Sequence, residues 1–134
     1  MLGEKIGEES GALVVQRVLP SEPGTPKMEV TQKGSGTLLG VPFHGSGTYW
    51  SKVRPDGTLY GEGNGVYMGE GGALATWVGQ GTGKIAADGS VKYRGAIYLY
   101  STSDAWKQLN SVATLFEYRM EADGNYHAEF SEWK

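Results

Sequence analysis

Apolar and polar residues alternate along most of this chain in short runs, each ended by proline, glycine or an Asp-Gly pair, the pattern of an all-β meander. The first run covers about Ile6–Leu19 and stops in Leu19-Pro20-Ser21-Glu22-Pro23-Gly24-Thr25-Pro26, where three prolines each remove a ladder donor. Further strands are expected over Lys27–Leu39, Phe43–Arg54, Thr58–Met68, Ala73–Ile85 and Ser90–Tyr100. The period then changes. Ser101-Thr102-Ser103-Asp104 offers capping oxygens, and Ala105, Trp106, Leu109 and Val112 follow at roughly helical spacing, so one short helix is expected over residues 104–110. Strands over Thr114–Glu121 and Tyr126–Trp133 bring the total to eight, in one domain spanning residues 1–134.

Eight antiparallel strands in this length make either a two-sheet sandwich or a closed up-and-down barrel of calycin-like form. The glycines decide. Gly34 and Gly36, Gly45 and Gly47, Gly61, Gly63 and Gly65, and Gly79, Gly81 and Gly83 recur at every second position. A glycine weakens a strand by roughly 0.5–1 kcal/mol, so rows at period two need a geometric reason. Tight coiling of one sheet, with large neighbours folded over bare backbone, supplies it and predicts the barrel.

Turn chemistry gives the pairing of two hairpins. With Pro55-Asp56-Gly57 as a loop, Arg54 faces Thr58 and Trp50 lies beside Glu62; with Ala87-Asp88-Gly89, Ile85 faces Val91 and Gly79 faces Ile97. Trp77, Ile85, Val91, Tyr93, Ile97 and Leu99 then form an apolar interior face, and Gln80, Thr82, Lys84, Lys92, Arg94 and Tyr98 face solvent or a partner subunit. The hairpin around Gly69-Glu70-Gly71-Gly72 admits two registers. Pairing Met68 with Ala73 turns Trp50, Tyr60, Glu62 and Asn64 inward, and this is the reading adopted; a slip of one residue instead brings in Tyr49, Val53, Leu59 and Tyr67.

Composition narrows the chemistry. The chain of 134 residues carries 12 basic against 15 acidic side chains, which argues against a phosphate-driven nucleic-acid binder. No run approaches the ~18 apolar residues of a membrane span, and Met1-Leu2-Gly3-Glu4-Lys5 does not begin a secretory signal, so a cytoplasmic location away from membranes is expected. The absence of cysteine excludes disulfides, thiolate metal sites and cysteine nucleophiles. Gly79-Gln80-Gly81-Thr82-Gly83-Lys84 resembles a phosphate loop but fails its spacing, with Val78 at the first glycine and Ile85 at the magnesium-binding hydroxyl. Asp56-Gly57, Asp88-Gly89 and Asp123-Gly124 read as hairpin turns rather than calcium loops. His44 and His127 gather no convergent ligands by spacing, so no metal and no cofactor are expected. Glu4, Glu8 and Glu9 read as a solvated acidic edge, with Glu8 on the face of Ile6, Ala12 and Val14.

Two resources remain. Glu62, placed among aromatic side chains, would have its pKa raised by desolvation and act as a general acid or base. Four tryptophans, eight tyrosines and three phenylalanines read mostly as ordinary core, and in a small barrel such walls can also hold one apolar or planar ligand. Trp106 and Leu109 are expected to plug or lid one barrel end.

From Gly34 onward the chain resembles the small eight-stranded barrels of the allene oxide cyclase and dirigent type. The likeness is carried by Gly61-Glu62-Gly63-Asn64-Gly65, Gly79-Gln80-Gly81-Thr82-Gly83, Tyr93-Arg94-Gly95-Ala96-Ile97-Tyr98 and the late segment Leu109–Tyr118, in which Ser111 and Thr114 replace the family's usual glycines. It implies a barrel, oligomers and a hydrophobic pocket, and it carries over none of the cyclase's catalytic residues. The expected function is binding of a small apolar or aromatic molecule by Trp50, Glu62, Trp77, Tyr93 and Ile97, with Trp106 near an entrance. The alternatives are a cofactor-free isomerase or cyclase using Glu62, and a structural protein forming a symmetric homo-oligomer (dimer or trimer) through the Gln80, Arg94 and Tyr98 face.

Overall fold

The computed structural model describes residues 2–134, and Met1 lies outside them. Eight strands run in sequence: β1 (Leu2–Leu19), β2 (Lys27–Leu38), β3 (Val41–Val53), β4 (Leu59–Gly69), β5 (Leu74–Ile85), β6 (Val91–Tyr100), β7 (Thr114–Met120) and β8 (Asn125–Trp133). Each pairs antiparallel with the next, and β1 pairs with β8, so the sheet closes into a barrel. Among the described residues no helix is long and apolar enough to cross a membrane.

Three hairpins at one barrel end repeat a single device. Asp56, Asp88 and Asp123 each accept, through Oδ1, the backbone N–H two residues on, at 3.0, 2.9 and 3.0 Å. The following Gly57, Gly89 and Gly124 hold φ at +86°, +86° and +92°, which closes a three-residue loop. The two registers derived from these turns are observed: Trp50 faces Glu62, and Gly79 faces Ile97.

The β4–β5 hairpin takes the other register. Glu70–Gly72 forms a 3₁₀ turn in which Gly71 and Gly72 both adopt positive φ, so Gly69 closes against Ala73 and Met68 pairs with Leu74 rather than with Ala73. That single-residue difference reverses every side chain of β3 and β4 relative to β5. Tyr49, Leu59 and Tyr67 therefore point inward, and Trp50, Tyr60, Glu62 and Asn64 point outward.

With this register every glycine row falls on the inner face, and glycines meet directly across strands. Gly11, Gly34 and Gly45 form one such line, and Gly61, Gly81 and Gly95 another. The backbones approach too closely for side chains. A Cβ on Gly81 would come within 2.9 Å of the Arg94 carbonyl oxygen and of the Phe116 ring, and one on Gly45 within 2.8 Å of the Tyr67 ring. Bare backbone lets the sheet coil and lets aromatic rings lie against it.

The expected helix over residues 104–110 is not formed; the segment makes a 3₁₀ turn over Lys107–Ser111. Seven residues are too few to nucleate a stable α-helix, and tertiary anchors set the path instead. The Asn110 side chain accepts from Ser101 N–H at 2.8 Å and donates to the Ser101 carbonyl at 2.9 Å. Trp106 and Leu109, 0% and 2% exposed, plug the barrel end between β6 and β7. The Trp106 indole N–H donates to the Leu38 carbonyl at 2.9 Å, and its ring meets Phe43 edge-on.

Candidate functional site

On the inner face of β1 the order is Gly7, Glu9, Gly11, Leu13, and a bulge between Leu13 and Val15 ends the alternation. Glu9 is 5% exposed. Its Oε1 accepts from the Tyr67 hydroxyl at 3.1 Å, and its Oε2 accepts from the Tyr126 hydroxyl at 2.6 Å. A second relay runs beside it. Tyr118 donates to Gln32 Oε1 at 2.7 Å, and the Tyr49 hydroxyl lies 3.2 Å from that of Tyr118. Tyr118 stacks on Tyr126 at 5.4 Å and 23°, which joins the two groups, and the Tyr93 hydroxyl bonds to Ser51.

Of these residues Glu9, Gln32, Tyr49, Tyr67, Tyr93 and Tyr118 line a cavity of about 80 Å³. One wall is bare backbone at Gly61, Gly63, Gly79 and Gly81; the opposite walls are aromatic, with Ile97 and Ala128 between the rings. The glycines thus do two things at once: they permit the coil and they leave the space. The room holds a few waters, and it is about half of the ~150 Å³ that admits a benzene ring, so a single-ring guest moves the lining side chains apart.

Burial dominates the electrostatics. It raises the Glu9 carboxyl above the ordinary glutamate value, with the hydrogen bonds from Tyr126 and then Tyr67 pulling partly back. Burial also pushes Tyr49 up to about 12 and raises Tyr67, Tyr93, Tyr118 and Tyr126. The phenols stay neutral, and Glu9 is the only buried carboxyl among the described residues. The Trp77 indole N–H is buried without a partner, and the ring lines the cavity.

Of the residues expected at a site, Trp77, Tyr93 and Ile97 line the lumen. Glu62 borders the cavity, but its carboxylate turns away to the outer face, where it accepts from the Tyr60 hydroxyl at 2.7 Å. Trp50 is also outside, with the Lys27 ammonium 4.4 Å from its ring centre and Tyr60 edge-on at 5.7 Å. Both misplacements follow from the β4–β5 register. Trp106 is the end plug and does not touch the cavity. Glu9, which had been read as part of a solvated edge, occupies the interior place expected of Glu62. Glu8 faces outward with His127 and Glu129, where the Lys5 ammonium lies 3.0 Å from Glu8 and 3.5 Å from Glu129.

No protein-family model matches the chain, and no curated protein matches it in sequence. Solved structures match in shape. A protein of unknown function from Clostridium acetobutylicum superposes with a TM-score of 0.84 at 11% identity, over 98% of each chain. A β-barrel-like protein from Acinetobacter baumannii gives 0.80 at 12% identity, over 99% of this chain and 96% of that one. A protein described as an enzyme from Penicillium herquei gives 0.69 at 15% identity, over 96% and 92%. These likenesses carry the closed small-barrel fold alone.

Proposed function

We propose that the barrel binds a small single-ring apolar or aromatic molecule in its lumen, with Glu9 as the polar anchor. The observation that carries this reading is a cavity walled by aromatic rings and bare glycine backbone around one buried carboxyl. Such a site combines apolar burial with few polar groups, the usual composition of a small-molecule pocket. Titration with benzyl alcohol, followed by amide NMR, is expected to give saturable shifts at Gly63, Gly79 and Ile97. Ala128→Phe, which fills the same space, is expected to remove them; absence of saturable shifts in the unmodified chain at millimolar probe sinks the proposal.

A second reading, a cofactor-free isomerase or cyclase, passes from Glu62 to Glu9. It is favoured by the desolvated carboxyl that faces the cavity, a group suited to moving a proton. Kinship with allene oxide cyclase and dirigent barrels belongs to the same proposal, supported by the closed eight-stranded order and the glycine rows, and the compartment proposed is the cytoplasm.

We also propose that the chain forms a symmetric homo-oligomer through the outer face of β4, β5 and β6. Met68, Leu74, Val78, Tyr98 and Tyr100 are each more than half exposed there. These five side chains are uncharged, and Glu62 and Arg94 border them on the same face, so two copies meet on an apolar centre with a charged rim. Light scattering is expected to give a dimer or trimer mass, reduced to one subunit by Val78→Lys with Tyr98→Lys. A monomer in the unmodified chain removes this proposal.

A further inference from the structure

The charge of the lumen is one-sided. Glu9 is the only acidic or basic residue that is buried among the described residues, and no lysine, arginine or histidine is buried. Tyr67 and Tyr126 each give the carboxylate one neutral hydrogen bond. Those bonds orient the carboxyl and bring no opposite charge to it. Each Glu9 oxygen has accepted once and keeps capacity to accept again. Tyr49, Tyr67, Trp77, Tyr93, Phe116 and Tyr118 line the cavity, and each aromatic ring offers a cation the negative part of its quadrupole.

One kind of guest satisfies both features. We propose that the lumen takes a small organic cation, an amine carried on a single ring or a short alkyl group, whose ammonium pairs with Glu9 and whose body lies against the aromatic walls. The inference rests on the lumen-binding reading above and specifies the charge of that ligand. An ammonium donates to the free lone pairs of Glu9 and is attracted by the surrounding rings. A neutral ring gains burial alone. A carboxylate or phosphate guest would set a second negative charge beside the first in a desolvated space.

The test uses three probes of one shape and different charge: benzylamine, benzyl alcohol and benzoate, titrated into the purified chain by calorimetry at neutral pH. Benzylamine is expected to bind at least about tenfold more tightly than benzyl alcohol, with benzoate not bound. Glu9→Gln is expected to remove the advantage of benzylamine over benzyl alcohol. Equal binding of amine and alcohol by the unmodified chain overturns the charge preference and leaves the lumen reading standing. A preference for the amine that survives Glu9→Gln overturns the role of Glu9. Binding of none of the three overturns both readings.

Should Glu9→Gln not fold, the unmodified chain carries the test alone. Its amine-to-alcohol affinity ratio is expected to fall as pH drops through the titration of Glu9, while benzylamine stays protonated. The groups facing Glu9 are Tyr67 on β4, Tyr126 on β8, Tyr118 on β7, Tyr49 on β3 and Gln32 on β2, none of which changes charge over that range. Glu8, His127 and Glu129 on the same two strands lie on the outer face. A ratio that does not move with pH overturns the proposal.

Discussion

Trp106→Ala is expected to lower the free energy of unfolding by about 3–5 kcal/mol. The side chain is fully buried and closes one end of the barrel against Phe43 and Gly69. Its removal opens a cavity that a closed sheet cannot collapse to fill, and it strips the Leu38 carbonyl of its indole donor. Urea unfolding checks this as a fall in midpoint at unchanged slope. Trp133→Ala is the control: that ring is 61% exposed, and its loss is expected to stay within about 0.5 kcal/mol. Equal effects of the two would mean that Trp106 does not plug the barrel.

The second large effect is a pH dependence of stability carried by Glu9. Burial holds its folded pKa above the ordinary 4.5, so over the window from that value up to the folded midpoint the folded chain keeps a proton the unfolded chain has released. The stability from this group is fully present below pH 4.5 and is lost as pH rises through the window. The slope for a single group is at most about 1.4 kcal/mol per pH unit. Asp56, Asp88 and Glu129 act in the opposite sense, because hydrogen bonds from Thr58, Ser90 and His127 respectively hold their folded values low. Their contributions are present above the ordinary carboxylate range and are lost as pH falls. Subtracting the profile of Glu9→Gln from that of the unmodified chain removes them. The variant is expected to gain on the unmodified chain as pH rises above 4.5, and a difference flat with pH counts against a buried carboxyl.

Much of this fold is legible because its turns are chemically explicit. Each Asp-Gly loop states both a bend and a register, and the pairings across residues 55–57 and 87–89 follow from them directly. The loop after Met68 is different, since two adjacent glycines at positive φ lengthen it by one position and no side chain records that choice. The resulting error carried Glu62 and Trp50 into the interior. A signal against it was present: inner-face glycines are cross-strand neighbours in this barrel, so Gly61, Gly63 and Gly65 belong on the same side as Gly79, Gly81 and Gly83. The same parity places Glu9 between Gly7 and Gly11 inside β1. Ala12 and Val14 pointed the other way because the bulge beyond Leu13 and the exposed end of β1 break the alternation. Trp106 announced itself by composition, but its short segment follows tertiary anchors rather than helical spacing.

The most direct measurement is the titration of the Glu9 side-chain carboxyl by carbon NMR in the ligand-free chain, assigned by comparison with Glu9→Gln. A carboxyl enclosed by rings and two tyrosine hydroxyls is predicted to titrate above the ordinary value of 4.5. A midpoint at or below that value would put the group in water and contradict the enclosed carboxyl on which the ligand assignment stands.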